Sequence, residues 1–151
     1  MFRLDAMTPD DTQRFGERLG RLLTARSVIC LTGDLGLGKT TFTKGLGKGL
    51  NIPGSIQSPT YGLVHFHEGG RLPLWHADLY RIESEADLEQ LGLDEAMSEA
   101  GVVVVEWGER FPSCFTEDHL QVTLSEHECG RVIELRATGP RHMAMVSTLH
   151  D

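Results

Sequence analysis

Apolar residues recur along this chain first at helical and then at strand spacing, and the changes of period divide it into elements. After a short opening strand, Thr8-Pro9-Asp10-Asp11 reads as a helix start. Thr8 can cap, Pro9 suits the first helical position, and Asp11 sets an acid at the third, where the helix dipole favours it. Phe15, Leu19, Leu22 and Leu23 follow as one buried stripe. Val28-Ile29-Cys30-Leu31 is an apolar, β-prone run of strand length, and Phe42, Leu46 and Leu50 then resume helical spacing. Gly45, Gly47 and Gly49 each cost that second helix about 1 kcal/mol of propensity relative to alanine. Either the helix frays early or a neighbour packs close against it.

Alternation from Leu63 to His67, a Gly69-Gly70 turn and a second run from Arg71 to Leu79 predict a β-hairpin. Ser84, with Asp87 three residues on, opens a third helix carrying Leu88, Leu91 and Leu93 and ending before Gly101. Val102 to Val105 is apolar on both faces, as in a buried parallel strand. Leu120 to Leu124 and Arg131 to Leu135 alternate around a turn containing Gly130 and predict an antiparallel hairpin closing the sheet. Residues 139–151 read as a loosely packed tail. The expected fold is α/β, a mostly parallel sheet flanked by helices with antiparallel hairpin additions.

Composition narrows the class. At 151 residues the chain has length for one domain and one core. Its net charge of −8 repels a phosphate backbone, so unaided nucleic-acid binding, DNA included, is disfavoured. The only lysines are Lys39, Lys44 and Lys48, which concentrates cationic charge in one loop and its helix. Cys30, Cys114 and Cys129 are an odd number without framework spacing, and the first residues lack the apolar core of a signal peptide. These point to a reducing cytoplasmic compartment, and no apolar run approaches a membrane span. His65 and His67 face the same way on a strand and His127 with Cys129 flank a turn, but no further ligand pair has zinc-like spacing.

The strongest chemical signal is Gly33-Asp34-Leu35-Gly36-Leu37-Gly38-Lys39-Thr40, which satisfies every position of G-x-x-x-x-G-K-[ST] between a strand and a helix. Glycines at 33, 36 and 38 let the backbone turn and aim consecutive N–H groups at a polyphosphate, whose charge also meets the positive helix end. Lys39 supplies a point charge for the β- and γ-phosphates, and the Thr40 hydroxyl is a hard oxygen suited to Mg²⁺. Thr41 continues the helix from there.

Downstream, Ser58 and Thr60 stand at one outer end of the predicted hairpin and Asp78 with Arg81 at the other. In a phosphate-loop protein these are candidate γ-phosphate sensors; otherwise they are an ordinary turn and a surface acid. Glu106 ends the Val102–Val105 strand, where an open α/β sheet binds its ligand and where nucleotide-hydrolysing folds place an acid near magnesium. It can ligate the ion directly, hold it through water or orient the attacking water. Trp107 reads as a core or interface aromatic rather than as part of a nucleotide pocket.

The glycine loop, Ser58-Pro59-Thr60-Tyr61, His76-Ala77-Asp78-Leu79-Tyr80-Arg81 and Val105-Glu106-Trp107, in this order, closely resemble the bacterial TsaE family, across nearly the whole chain. That resemblance implies a cytoplasmic, Mg²⁺-dependent, weak ATPase working with the TsaB and TsaD proteins. Together they install threonylcarbamoyl on the adenosine beside the anticodon of tRNA, which this chain would reach only through its partners. It also implies Lys39 on the phosphates, Thr40 with Glu106 on Mg²⁺, and Thr60 and Asp78 in two catalytic switch segments. The nucleotide would approach the first helix near Pro9 and a basic residue of the late hairpin, for which Arg131 is the candidate. Gly108 stands where a proline is common after the Glu-Trp pair, which would loosen that loop.

Other classes fit less well. A nucleotide-switched binding module overlaps with the family reading, since the γ-phosphate could order both switch segments. A GTPase should carry an Asn-Lys-x-Asp motif, which is absent, and a stand-alone small-molecule or nucleotide kinase needs a basic lid, where the sequence has no arginine-rich segment.

Overall fold

The computed structural model describes residues 1–34, 36–54, 64–115, 117–128 and 130–149. Among them, β1 (Phe2–Ala6), β2 (Ser27–Thr32), β3 (Val64–His67), β4 (Leu74–Asp78), β5 (Val102–Glu106), β6 (Leu120–His127) and β7 (Gly130–Ala137) form one sheet in the order β1-β7-β6-β2-β5-β4-β3. The central pairings β6·β2, β2·β5 and β5·β4 are parallel, while β1·β7, β7·β6 and β4·β3 are antiparallel. Only β3 and β7 therefore run against the other five, and the mixed sheet is mostly parallel in strand direction. The late hairpin β6–β7 does not close the sheet as its sequence suggests. It enters between β1 and β2, with β6 parallel to β2, and leaves β1 at the edge.

Helices α1 (Pro9–Leu22), α2 (Lys39–Gly49) and α5 (Pro140–Thr148) share one apolar cluster with the sheet face that carries Ile29, Leu31, Val102 and Val104. The opposite face, with Val28, Val103 and Val105, packs against α3 (Glu85–Glu89), α4 (Leu93–Ser98) and the segment containing Phe111 and Cys114. Thr8 caps α1 by accepting from the Asp11 N–H, while the Asp11 carboxylate reaches back to the Thr8 N–H, so the first turn of α1 is capped reciprocally.

The glycines of α2 answer to a neighbour. A Cβ at Gly45 would lie 2.2 Å from the Gln13 carbonyl oxygen and one at Gly49 2.3 Å from that of Glu17; reciprocally, Gly16 faces the Phe42 oxygen at 2.3 Å. Small residues on both helices let α1 and α2 touch backbone to backbone, which pins the start of α2 over the sheet.

Two further expectations are corrected. The single helix after Ser84 is two short ones, because Gly92 adopts a left-handed conformation (φ 71°) that ends one and starts the next. The stretch from Gly139 is not a loose tail: α5 buries His142, Met145 and Val146, with Leu149 just beyond it, and residues 150–151 lie outside those described. Asp118 accepts from the N–H groups of Arg141 and His142 at the start of α5, and from the His142 ring at 2.8 Å. The second ring nitrogen of His142 accepts from the Val28 N–H. No helix among the described residues is long and apolar enough to cross a membrane.

Candidate functional site

Parallel register brings three strand ends together. Glu106 lies opposite Leu31 of β2 on one side and opposite Asp78 of β4 on the other, so the loop leaving β2, the end of β4 and the end of β5 meet at one carboxyl edge. Open α/β sheets bind ligands at that edge. Gly33 and Asp34 leave β2, Gly36 and Gly38 take positive φ (84° and 100°), and Lys39, Thr40 and Thr41 form the first turn of α2. Leu37 lies between the two glycines and packs on the apolar cluster. Leu35 and Thr60 lie outside the described residues.

The two main helices begin differently. α1 has a full capping box, whereas Gly38 starts α2 with no side-chain cap. An uncapped helix start behind a glycine loop leaves N–H groups and the positive end of the dipole directed at the loop, an arrangement suited to an anion.

Lys39 and Glu106 are only 6% and 4% exposed, so neither charge can rely on water and each needs a partner. Lys39 Nζ lies 3.7 Å from Glu106 Oε1 and 4.3 Å from the centre of the Trp107 ring. Glu106 Oε2 lies 2.5 Å from Nε2 of His76, which is fully buried. Trp107 is therefore both a packing residue, against the α3–α4 cluster, and a lid over the Lys39 ammonium. Its backbone holds φ at 62°, a conformation costing a bulky residue about 1–3 kcal/mol and typical of functional sites. Tyr80 also packs on the indole in a tilted arrangement, with ring centroids 5.1 Å apart.

Asp78 is half-buried and accepts from the Tyr80 N–H at 2.9 Å. Burial pushes its carboxyl above the ordinary range; the Tyr80 N–H opposes this, Glu106 repulsion adds to it, and Lys39 and His76 oppose it. Arg81 follows in the exposed turn. Arg110 ties that turn to the segment after Glu106: its guanidinium donates to the Tyr80 oxygen at 2.6 Å and the Ile82 oxygen at 3.1 Å. Gly108 does not loosen this segment. A Cβ there would fall 2.2 Å from the Phe115 ring, and Gly108–Arg110 forms a 3₁₀ turn whose Gly108 carbonyl accepts from the Phe111 N–H.

Beside the loop, a cleft of about 260 Å³ is lined by Pro9, Thr12, Gly36, Gly38, Thr41 and Arg131 among others. Pro9 and Arg131, far apart in sequence, thus reach one cavity with the glycine loop. Arg131 lies 3.8 Å from Glu126, an exposed pairing that leaves the guanidinium within reach of a ligand.

The sequence did not disclose roles for His76 and Arg110, and for Trp107 it gave the packing but not the contact with Lys39. A signal for His76 exists: it stands two residues before Asp78 in a strand, hence on the same face, one step deeper than Glu106 on the neighbouring strand.

The chain is similar to proteins of known kind. The family model for the threonylcarbamoyl adenosine biosynthesis protein TsaE matches residues 6–133. The tRNA threonylcarbamoyladenosine biosynthesis protein TsaE of Bacillus subtilis is 36% identical over 148 residues, covering 96% of this chain and 92% of the relative. Its namesake in Treponema pallidum is 43% identical over 122 residues, 81% of this chain and 90% of the relative. The crystal structure of YdiB from Bacillus subtilis superposes with a TM-score of 0.84 at 30% identity, covering 99% of this chain and 93% of that one. With the family model spanning most of its length and a relative 36% identical matching nearly end to end, this chain belongs to the TsaE family.

Proposed function

We propose that this chain is the Mg²⁺-dependent, ATP-binding and hydrolysing subunit of the machinery that installs threonylcarbamoyl on the adenosine beside the anticodon of tRNA. In this reading it has a P-loop NTPase core, works in the cytoplasm and acts as a nucleotide-driven switch on TsaB and TsaD. It meets tRNA through those partners, as a net charge of −8 favours. The observation that carries the reading is the buried Lys39–Glu106 pair, set where an uncapped helix start meets the ends of β2, β4 and β5.

The donor chemistry fits Mg²⁺. Thr40 and Glu106 offer hard oxygens, and among the described residues no three His, Cys, Asp or Glu side chains form a cage of their own. Mg²⁺ suits such a site, since it keeps waters and rides on substrate phosphates with one or two protein ligands. When bound, the ion neutralises charge on the phosphates. The chain's own part is positional: loop N–H groups and Lys39 hold the β- and γ-phosphates, and Thr40 and Glu106 supply oxygens. Pro9 and Arg131 border the cleft that would receive the rest of the nucleotide. Phosphoryl transfer is catalysed mainly by such positioning and charge neutralisation. Asp78, with its raised carboxyl, orients or deprotonates the attacking water, while Thr60 reads the γ-phosphate.

The test is equilibrium binding of ATP with and without Mg²⁺, followed by hydrolysis in the presence of the partners. Binding should be tighter with the ion and lost in Lys39→Ala, and Asp78→Asn should bind normally but hydrolyse slowly. Wild-type hydrolysis by Asp78→Asn would remove its assigned role. Transfer of the phosphoryl group to an added alcohol or nucleoside would favour a kinase instead.

A further inference from the structure

We propose that His76 is a positioning residue for Glu106: its Nε2–H engages Oε2 and fixes the carboxylate so that Oε1 is presented to the Lys39 side of the site. The proposal rests on the reading of Glu106 as a Mg²⁺ ligand given above.

The strand β4 places Leu74, His76 and Asp78 on the face toward α2, with Leu74 beside Val102, His76 beside Val104 and Asp78 beside Glu106. Leu74 and Val104 are fully buried apolar residues, so an imidazole between them sits where the pattern asks for another aliphatic side chain. Burying a polar ring there is costly without a hydrogen bond. Among the described residues its polar contact is Nε2 to Glu106 Oε2 at 2.5 Å, while Nδ1 is buried with no hydrogen-bond partner.

That asymmetry selects one form of the ring. A proton on Nδ1 alone would bury an unmet donor and turn the Nε2 lone pair against a carboxylate oxygen. The Nε2–H form leaves only a bare lone pair at Nδ1 and donates to the acid.

The other carboxylate oxygen behaves differently. Oε1 faces Lys39 Nζ at 3.7 Å, beyond hydrogen-bond distance, so that contact is electrostatic. One oxygen is thus anchored from the sheet and the other is directed at the glycine loop. Carboxylates that ligate metals are themselves hydrogen-bonded, and loss of such a supporting partner typically weakens metal affinity about 10–100-fold.

The test uses the full chain, Mn²⁺ as the probe ion and AMPPNP as the nucleotide. Free Mn²⁺ is read by electron paramagnetic resonance, and AMPPNP affinity is measured separately in EDTA. His76→Leu should weaken Mn²⁺ binding to the nucleotide complex by about 10–100-fold while leaving metal-free AMPPNP affinity unchanged. His76→Gln, whose side-chain N–H can reach the same oxygen, should recover most of the loss. Unchanged Mn²⁺ affinity in His76→Leu overturns the proposal, and so does an equal loss of metal-free affinity, which would mean a disturbed loop. If wild-type AMPPNP binding is indifferent to Mn²⁺, the parent reading of the site fails and takes the proposal with it. A second readout needs no variant: ¹⁵N-histidine spectra of the wild type should show His76 protonated at Nε2, and an Nδ1–H form overturns the proposal directly.

Discussion

Replacing Gly45 with alanine sets two known effects against each other. Alanine gains about 1 kcal/mol of helix propensity over glycine. At this position, however, the new Cβ would lie 2.2 Å from the Gln13 carbonyl oxygen, 2.9 Å from the Glu17 nitrogen and 3.0 Å from the Gly16 Cα, all backbone atoms of α1. No side-chain rotation relieves such contacts, so the helices must part by roughly 1 Å to restore ordinary van der Waals distances. Gly16 and Gly49 meet the opposite helix as closely, and Phe42, Leu46 and Leu50 are fully buried beside them, so separation loosens a whole seam. Overpacking of this kind costs about 1–3 kcal/mol and occasionally more; contacts this close with rigid backbone put it at the upper end, about 3 kcal/mol, so that after the propensity gain a net loss of about 2 kcal/mol is left. We expect Gly45→Ala to lose about 2 kcal/mol in urea denaturation, or about 4–8 °C in melting temperature. Because Lys39 is the first residue of α2, ATP binding should weaken with it. Gly92→Ala is the comparison: nothing lies within 4 Å, and only the left-handed φ of 71° is strained, for about 1 kcal/mol. A Gly45→Ala protein more stable than wild type would refute the close approach of the two helices.

Two other perturbations test neighbouring parts. Burial is the leading influence on His142 and lowers its imidazole below the ordinary 6.5; Asp118 pulls the other way, while Arg141 and His119 add to the lowering. The unfolded chain therefore takes up protons first as pH falls below 6.5, so this contribution to stability is present above that pH and is lost beneath it. The urea midpoint should be lower at pH 5.5 than at pH 7.5, with a smaller difference in His142→Gln; an unchanged difference would contradict a buried neutral imidazole accepting from Val28. Arg110→Ala removes the donor shared by the Tyr80 and Ile82 carbonyls. It should speed amide exchange from Leu79 to Ile82, leave β5 protected and slow ATP hydrolysis, whereas unaltered exchange would mean that Arg110 does not hold the segment after Asp78.

What the sequence disclosed follows from how far apart the determinants lie. The capping box of α1, the glycine loop opening α2 and the hairpin β3–β4 rest on residues within a few positions of each other, and short-range pattern suffices for them. The sheet order does not: the parallel pairing of β6 with β2 joins Leu120 to Ile29, and no local period encodes it. The helix α5 was hidden for a similar reason. Gly139 is a weak N-cap signal, and the acceptor that anchors the helix, Asp118, lies more than twenty residues earlier. At the site, Lys39, Asp78 and Glu106 could be named because strand ends and motif spacing mark them. His76 could not be given a role, because it depends on the β4–β5 register, and Trp107 could be read only as a packing aromatic, because its place over Lys39 goes with a left-handed backbone.

The central claim is that this site hydrolyses ATP in the service of a partner assembly. The most direct measurement is phosphate release from ATP with Mg²⁺, by the chain alone and then with TsaB, TsaD and tRNA, with Lys39→Ala as control. The account predicts slow release alone, faster release with the partners, and none above background in Lys39→Ala. Release that is fast alone and indifferent to the partners, or that survives in Lys39→Ala, would contradict it.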